Sequence, residues 1–129
     1  MLGELERRSE LVRSGVLTAG EDAIADHAAS KIEDHFGEYL THLRVKGVSA
    51  RHLADAQRIS RILFDDCGIH LLRDIEAGTV ESWLMRKLDE GMGARTRNIH
   101  LQTLRGYSQW AVKTHRLSTD PLRDLVKAD

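Results

Sequence analysis

The chain has 129 residues, which suits one domain with a buried core and would be cramped for two. Its net charge of −1 does not announce a nucleic-acid binder, and 41% hydrophobic with 30% charged content is ordinary for a globular domain. The lone Cys67 excludes an intrachain disulfide and metal binding by paired thiolates, and no run of 18 apolar residues is present to span a membrane.

The opening MLGELERRSE is charged where a signal peptide needs an apolar run, so a cytoplasmic protein is expected. Residues 2–14 can form a short helix with a thin apolar line (Leu2, Leu5, Val12), closed by Gly15. Thr18-Ala-Gly-Glu21 fits a capping box. The helix that follows is predicted to run to about Val45, with Ile24, Ala28, Ile32, Phe36, Tyr39, Leu40 and Leu43 on one face and Gly47 as its stop. Ser49 is an N-cap candidate for a helix from Ala50 to about Asp66, ended by Cys67-Gly68. Its inward positions are Leu53, Ala56, Ile59 or Ser60, and Leu63. Leu71, Leu72 and Ile75 plug a short connection, and Thr79 caps a helix from Val80 to about Glu90 that buries Val80, Trp83, Leu84 and Leu88.

The last long segment, Gly91 to Leu122, reads as one helix that starts after Gly93 and stops at Asp120-Pro121. Leu101, Leu104, Tyr107, Ser108 and Ala111 share a face, and Ile99 and Trp110 lie on another, as in the central helix of a small bundle. Leu122, Leu125 and Val126 fold back. One proline and no run of alternating β-branched residues leave an all-α fold: a small orthogonal bundle of four main helices plus a weaker N-terminal one.

Charge is unevenly spread. Residues 1–40 carry four basic and nine acidic side chains, net −5, whereas 41–129 carry fifteen and eleven, net +4. Between Gly91 and Thr119 there are five Lys/Arg and no acid. The candidate anion-binding groups are Arg51, His52, Arg58 and Arg61 on the 50–66 helix, with Arg95, Thr96, Arg97, His100, Arg105 and Lys113 on the last one. Free amides at a helix start favour phosphate, and two helices carrying such groups can track a DNA groove and its backbone. The alternative is a solvated face of ordinary surface charge. The seven histidines have neither an i,i+4 pair nor a Glu-x-x-His, so no metal site is expected. Asp65-Asp66-Cys67 with His70 offers no supported catalytic arrangement, and a small buried cysteine at a helix end is the simpler reading.

The series Ser49-Ala-Arg-His-Leu, Arg58, Leu72-Arg-Asp-Ile75, Trp83-Leu84, Gly93-Ala-Arg-Thr96-Arg-Asn-Ile-His-Leu-Gln-Thr-Leu104-Arg105-Gly-Tyr107-Ser-Gln-Trp110-Ala111 and Asp120-Pro121-Leu122 resembles the N-terminal, SAM-like core-binding domain of tyrosine recombinases and phage integrases. The resemblance covers roughly Ile32 to Leu125. It implies a helical DNA-binding domain that clamps a recombination half-site, with strand cleavage assigned to a separate C-terminal domain. It places Thr96 and Arg58 at backbone-contact or basic positions, Arg105 at the basic position before the core aromatic, and Tyr107 at that aromatic. His52 stands where a threonine is usual, Gly93 replaces a serine cap and Asp120 the asparagine before proline. The family's catalytic Arg, Lys, His-x-x-Arg and tyrosine nucleophile belong to its C-terminal domain; here Tyr39 and Tyr107 both lie on apolar stripes, and His100 and Arg105, five apart in the helical domain, are no substitute. The expected organisation is therefore an acidic helical extension over 1–30 packed on a core-binding domain over 31–126, the catalytic domain being absent from this chain. No enzymatic activity, cofactor, small-molecule substrate or membrane is expected. The expected partners are double-stranded DNA, the recombinase's own catalytic domain and neighbouring protomers. The rival expectation is a helical protein-interaction module without DNA affinity, in which the acidic N-terminal helices do the work.

Overall fold

The structure, a computed structural model, describes His27 and residues 29–128. The helix expected over 2–14 and the capping box at Thr18–Glu21 lie outside the described residues. Within them, four helices pack into a small all-α bundle: α1 Ile32–Lys46, α2 Ala50–Asp66, α3 Ala77–Asp89 and α4 Ala94–Lys113. A 3₁₀ turn, Leu72–Asp74, joins α2 to α3. α4 packs against each of the other three, and so is the central helix that its two apolar faces predicted.

Tyr107, Leu104, Ala111 and Leu101 of α4 meet Trp83 and Val80 of α3, Leu63 and Ile59 of α2, and Phe36 and Tyr39 of α1, all buried. Tyr107 is the hub of an aromatic cluster, with its ring 5.6 Å from Phe36, 5.3 Å from Tyr39 and 5.9 Å from Trp110. The edge-to-face and tilted geometries are those that aromatic quadrupoles favour. Leu72, Ile75 and Ile69 of the connection and Leu122 and Leu125 of the C-terminal segment complete the core. Val126, expected to fold back, is 85% exposed instead, and Ile99 and Leu88 are also exposed.

α1 starts later than its apolar period suggested. Lys31 is extended and bridges Leu71, the Ile32 N–H donates to His70 O at 2.9 Å, and the Leu72 N–H donates to Ser30 O. These pairings with a segment forty residues away break the helix that the local sequence would continue. α2 matches its expected bounds, and Ser49 Oγ accepts from the His52 N–H at 3.1 Å, as an N-cap should. α3 begins at Ala77, so Thr79 sits inside its first turn rather than capping it. In the connection, Asp74 accepts from the N–H groups of Leu71 and His70, and those bonds hold its carboxyl below the usual range.

All four helices end the same way. A residue in the left-handed conformation follows each last turn, namely Gly47, Gly68, Gly91 and His115. The N–H of the next residue (Val48, Ile69, Met92, Arg116) reaches back five residues to a helix carbonyl, which is the Schellman arrangement. The fourth case explains why α4 stops at Lys113 and not at Asp120: a histidine at φ 59° does what glycine does elsewhere. The cost is offset by Arg116, whose guanidinium lies over Trp110 at 4.4 Å and pairs with Glu38 of α1 at 2.6 Å. Because a Cβ in this region costs about 1 kcal/mol, His115→Gly is expected to stabilise the protein by roughly that amount in urea denaturation. No gain, or a loss, would mean that the histidine ring makes contacts of its own.

The C-terminal segment forms a strap that runs back along α4. Asp120 Oδ1 accepts from Ser108 Oγ at 2.7 Å and from the Leu122 N–H at 2.9 Å. The Arg105 guanidinium donates to the carbonyls of Leu122, at 3.0 Å, and Leu125. The Asn98 amide exchanges two bonds with the Ala128 backbone, at 2.9 and 2.8 Å.

Candidate nucleic-acid interface

The strap and the bundle core together settle where α4 can face outward. One side meets α1 and α3, one is covered by the strap, and the remainder borders α2 across an open groove. Lys46, Ser49, Arg51, His52 and Asp55 line one wall of this groove, and Ile99, Gln102, Thr103 and Gly106 the other. A shallower depression continues from Ile99 and Gln102 to Arg95 and Asn98 at the start of α4.

The helical register accounts for this placement. Arg51 and Asp55 are i,i+4 on α2, and Arg95, Ile99 and Gln102 are i, i+4, i+7 on α4, so each set shares a face. Ser49 begins α2 beside the groove, which puts Arg51 and His52 in the first turn, near the helix end of positive potential. Lys46 is carried there by the last turn of α1. Gly93 leaves the first amides of α4 without a side-chain cap, next to Arg95 and the exposed Thr96.

The electrostatics are one-sided. Lys46, Arg51 and Arg95 are exposed, and none of them is ion-paired to a described residue. The one acid on the groove wall, Asp55, is paired with Arg58 at 3.4 Å. Such an exposed pair is weak, but it sets a guanidinium beside the groove's acid. The groove between the two helices thus carries more cationic than acidic side chains, with hydroxyl and amide groups on its walls and Leu43, Val48 and Ile59 on its floor.

The ten expected contact residues do not all gather here. Arg51, His52 and Arg95 line the groove or its extension, Thr96 is exposed at the same helix start, and Arg58 stands at the rim with its acidic partner. Arg61 faces a different groove, between α1 and α2, with Glu33 and Asp65 nearby. Lys113 is exposed on the last turn of α4, about 27 Å along the helix from Arg95. Three residues are committed inside the protein. Arg97 is half-buried and donates to Met92 O. His100 is buried, with Nδ1 2.8 Å from Thr96 O and its ring 5.2 Å from that of Trp83. Arg105 spends one terminal nitrogen of its guanidinium on the strap carbonyls, as described. For these three the physical reason is the same: a nearby backbone carbonyl in a partly dry setting holds a donor more firmly than solvent does.

Four groove residues were not anticipated as contacts: Lys46, Ile99, Gln102 and Thr103. The i, i+4, i+7 series from Arg95 was the available signal, opposite the buried series Leu101, Leu104 and Ala111. Tyr39 and Tyr107 are buried, and burial raises both phenol pKa values. Cys67 is half-buried, and burial likewise pushes its thiol up. Among the described residues no group of three or more His, Cys, Asp or Glu is placed to hold a metal ion, and no helix is long and apolar enough to cross a membrane. Comparison of the chain with protein-family models, with curated proteins and with solved structures gives no match.

Proposed function

We propose that this chain is a double-stranded DNA-binding module of the cytoplasm, acting as the core-binding domain of an integrase-type tyrosine recombinase. The observation that carries the proposal is the α2–α4 groove, where Lys46, Arg51, His52 and Arg95 converge and the single acid is already paired. The motif series from Ser49 to Leu122 supports the family, and the helical bundle is compatible with it. Phosphate contacts by Lys46, Arg51, Arg95 and Thr96 position the domain on the duplex. On this reading strand cleavage belongs to a catalytic domain elsewhere in the recombinase, and neighbouring protomers are its other partners.

Affinity carried by phosphate contacts falls linearly with salt on logarithmic axes, with a slope of about 0.9 per contact. The combined variant Lys46→Ala, Arg51→Ala, Arg95→Ala is expected to lower duplex affinity roughly a hundredfold at 0.1 M salt and to reduce the slope by about 3. Fluorescence anisotropy at several salt concentrations measures both. All three side chains are exposed, so circular dichroism should be unchanged. Wild-type binding that is undetectable, or insensitive to salt, would sink the proposal.

A second reading draws on a different surface. Met85, Leu88 and Val126, exposed by 58, 48 and 85%, rim a groove between α3 and the strap and suit a protein contact. Sedimentation at several concentrations, with and without duplex, distinguishes self-association from DNA binding; the two are compatible in a recombinase assembly.

A further inference from the structure

We infer that Gln102 and Ile99 of α4 read an A·T base pair in the DNA major groove, an inference that rests on the duplex-binding reading above. Both side chains line the α2–α4 groove and also its extension toward Arg95, so they lie at the middle of the cationic face rather than at its rim. The cations stand to either side: Arg51 and Lys46 across the groove, Arg95 one turn toward the helix start.

The two residues have chemistry that phosphate does not use. A phosphate accepts hydrogen bonds and offers no donor. The Gln102 amide presents a donor and an acceptor side by side, and it is exposed with no hydrogen bond to any described residue. That pair matches adenine, which shows an N7 acceptor and an N6 donor in the major groove. Thr103 is not equivalent, because its hydroxyl already donates to Ile99 O at 2.8 Å. Ile99 is 46% exposed, while Leu101 and Leu104 of the same helix are buried at 2 and 0%. Ile99 lines the groove above its apolar floor of Leu43, Val48 and Ile59 and still leaves nearly half of its surface open. The apolar group that the major groove presents is the thymine C5-methyl. Spaced i,i+3, the two side chains are neighbours about 5–6 Å apart at Cβ, close enough to address the two bases of one pair or of adjacent pairs.

The test is a selection from random duplexes with the whole 129-residue chain, followed by titration of the enriched duplex and its base-substituted forms. The wild type is expected to enrich A·T at one position, and changing that pair to G·C should weaken binding about tenfold. Thymine-to-deoxyuracil replacement at that position, which removes only the methyl group, should cost the wild type about threefold and Ile99→Ala nothing. Gln102→Ala should lose the enrichment with the salt slope, which the cations set, unchanged. Enrichment that survives Gln102→Ala, a G·C preference, or binding without any base preference overturns the inference and leaves DNA binding standing. Failure of the wild type to bind duplex in a salt-dependent way overturns both.

Discussion

Replacing Arg105 by alanine is expected to destabilise the protein by about 3 kcal/mol while leaving the duplex affinity of the folded fraction within twofold. Its guanidinium joins α4 to the carbonyls of Leu122 and Leu125, and those residues are buried at 0 and 8%. Hydrogen bonds from a charged donor contribute about 1.5–3 kcal/mol each, and the carbonyls left behind in a partly dry setting are penalised further. Both bonds come from one terminal guanidinium nitrogen, so Arg105→Lys, which keeps a single charged donor, should recover part of the loss. Chemical denaturation and anisotropy on the same samples separate the two effects. A variant that is as stable as wild type yet fails to bind DNA would show that the guanidinium serves the duplex and not the strap.

Trp83→Ala should be the most damaging single substitution, at about 4 kcal/mol. The indole is fully buried between α3 and α4, against the His100 ring, with the Lys87 ammonium 5.5 Å from its centroid. Its Nε1–H donates to Asp66 Oδ2 at 2.9 Å, which ties the end of α2 to the middle of α3. A domain of this size has a total stability of about 5–15 kcal/mol, so the variant should be partly unfolded at 37 °C. Trp83→Phe keeps most of the apolar volume and loses the hydrogen bond, and should cost about 1–2 kcal/mol. If Trp83→Phe proves as harmful as Trp83→Ala in thermal denaturation, the Asp66 bond and not the packing dominates.

These two residues also mark what could be read in advance. Trp83 announced itself as core, because Val80, Trp83 and the apolar line of α4 repeat at helical spacing, and burial follows directly from that period. The whole of α2 was legible for a similar reason: Ser49 is a local start signal and Gly68 a local stop signal, and neither needs a distant partner. Arg105 was not legible as a strap residue. Its partners lie 17 and 20 positions on, and nothing in a basic residue on a helix distinguishes a phosphate ligand from a ligand for the chain's own carbonyls. The start of α1 was hidden by the pairing of Ser30 and Ile32 with His70 and Leu72, and the end of α4 by a histidine in a place where glycine is the usual sign. Within the candidate site, Arg51, His52 and Arg95 could be listed from charge alone. Lys46, Ile99 and Gln102 joined them only once α1, α2 and α4 were set side by side.

The strap has a mechanical consequence. Its contacts with α4 run in reverse order: Ala128 on Asn98, Leu125 and Leu122 on Arg105, Asp120 on Ser108. A pull on the C-terminal end directed away from α4 loads these stitches one after another instead of all together. The first stitch to feel tension is Asn98, one turn from Arg95 on the same helix. Strain transmitted along the polypeptide thus enters the molecule at the end of α4 that carries the groove's own cation.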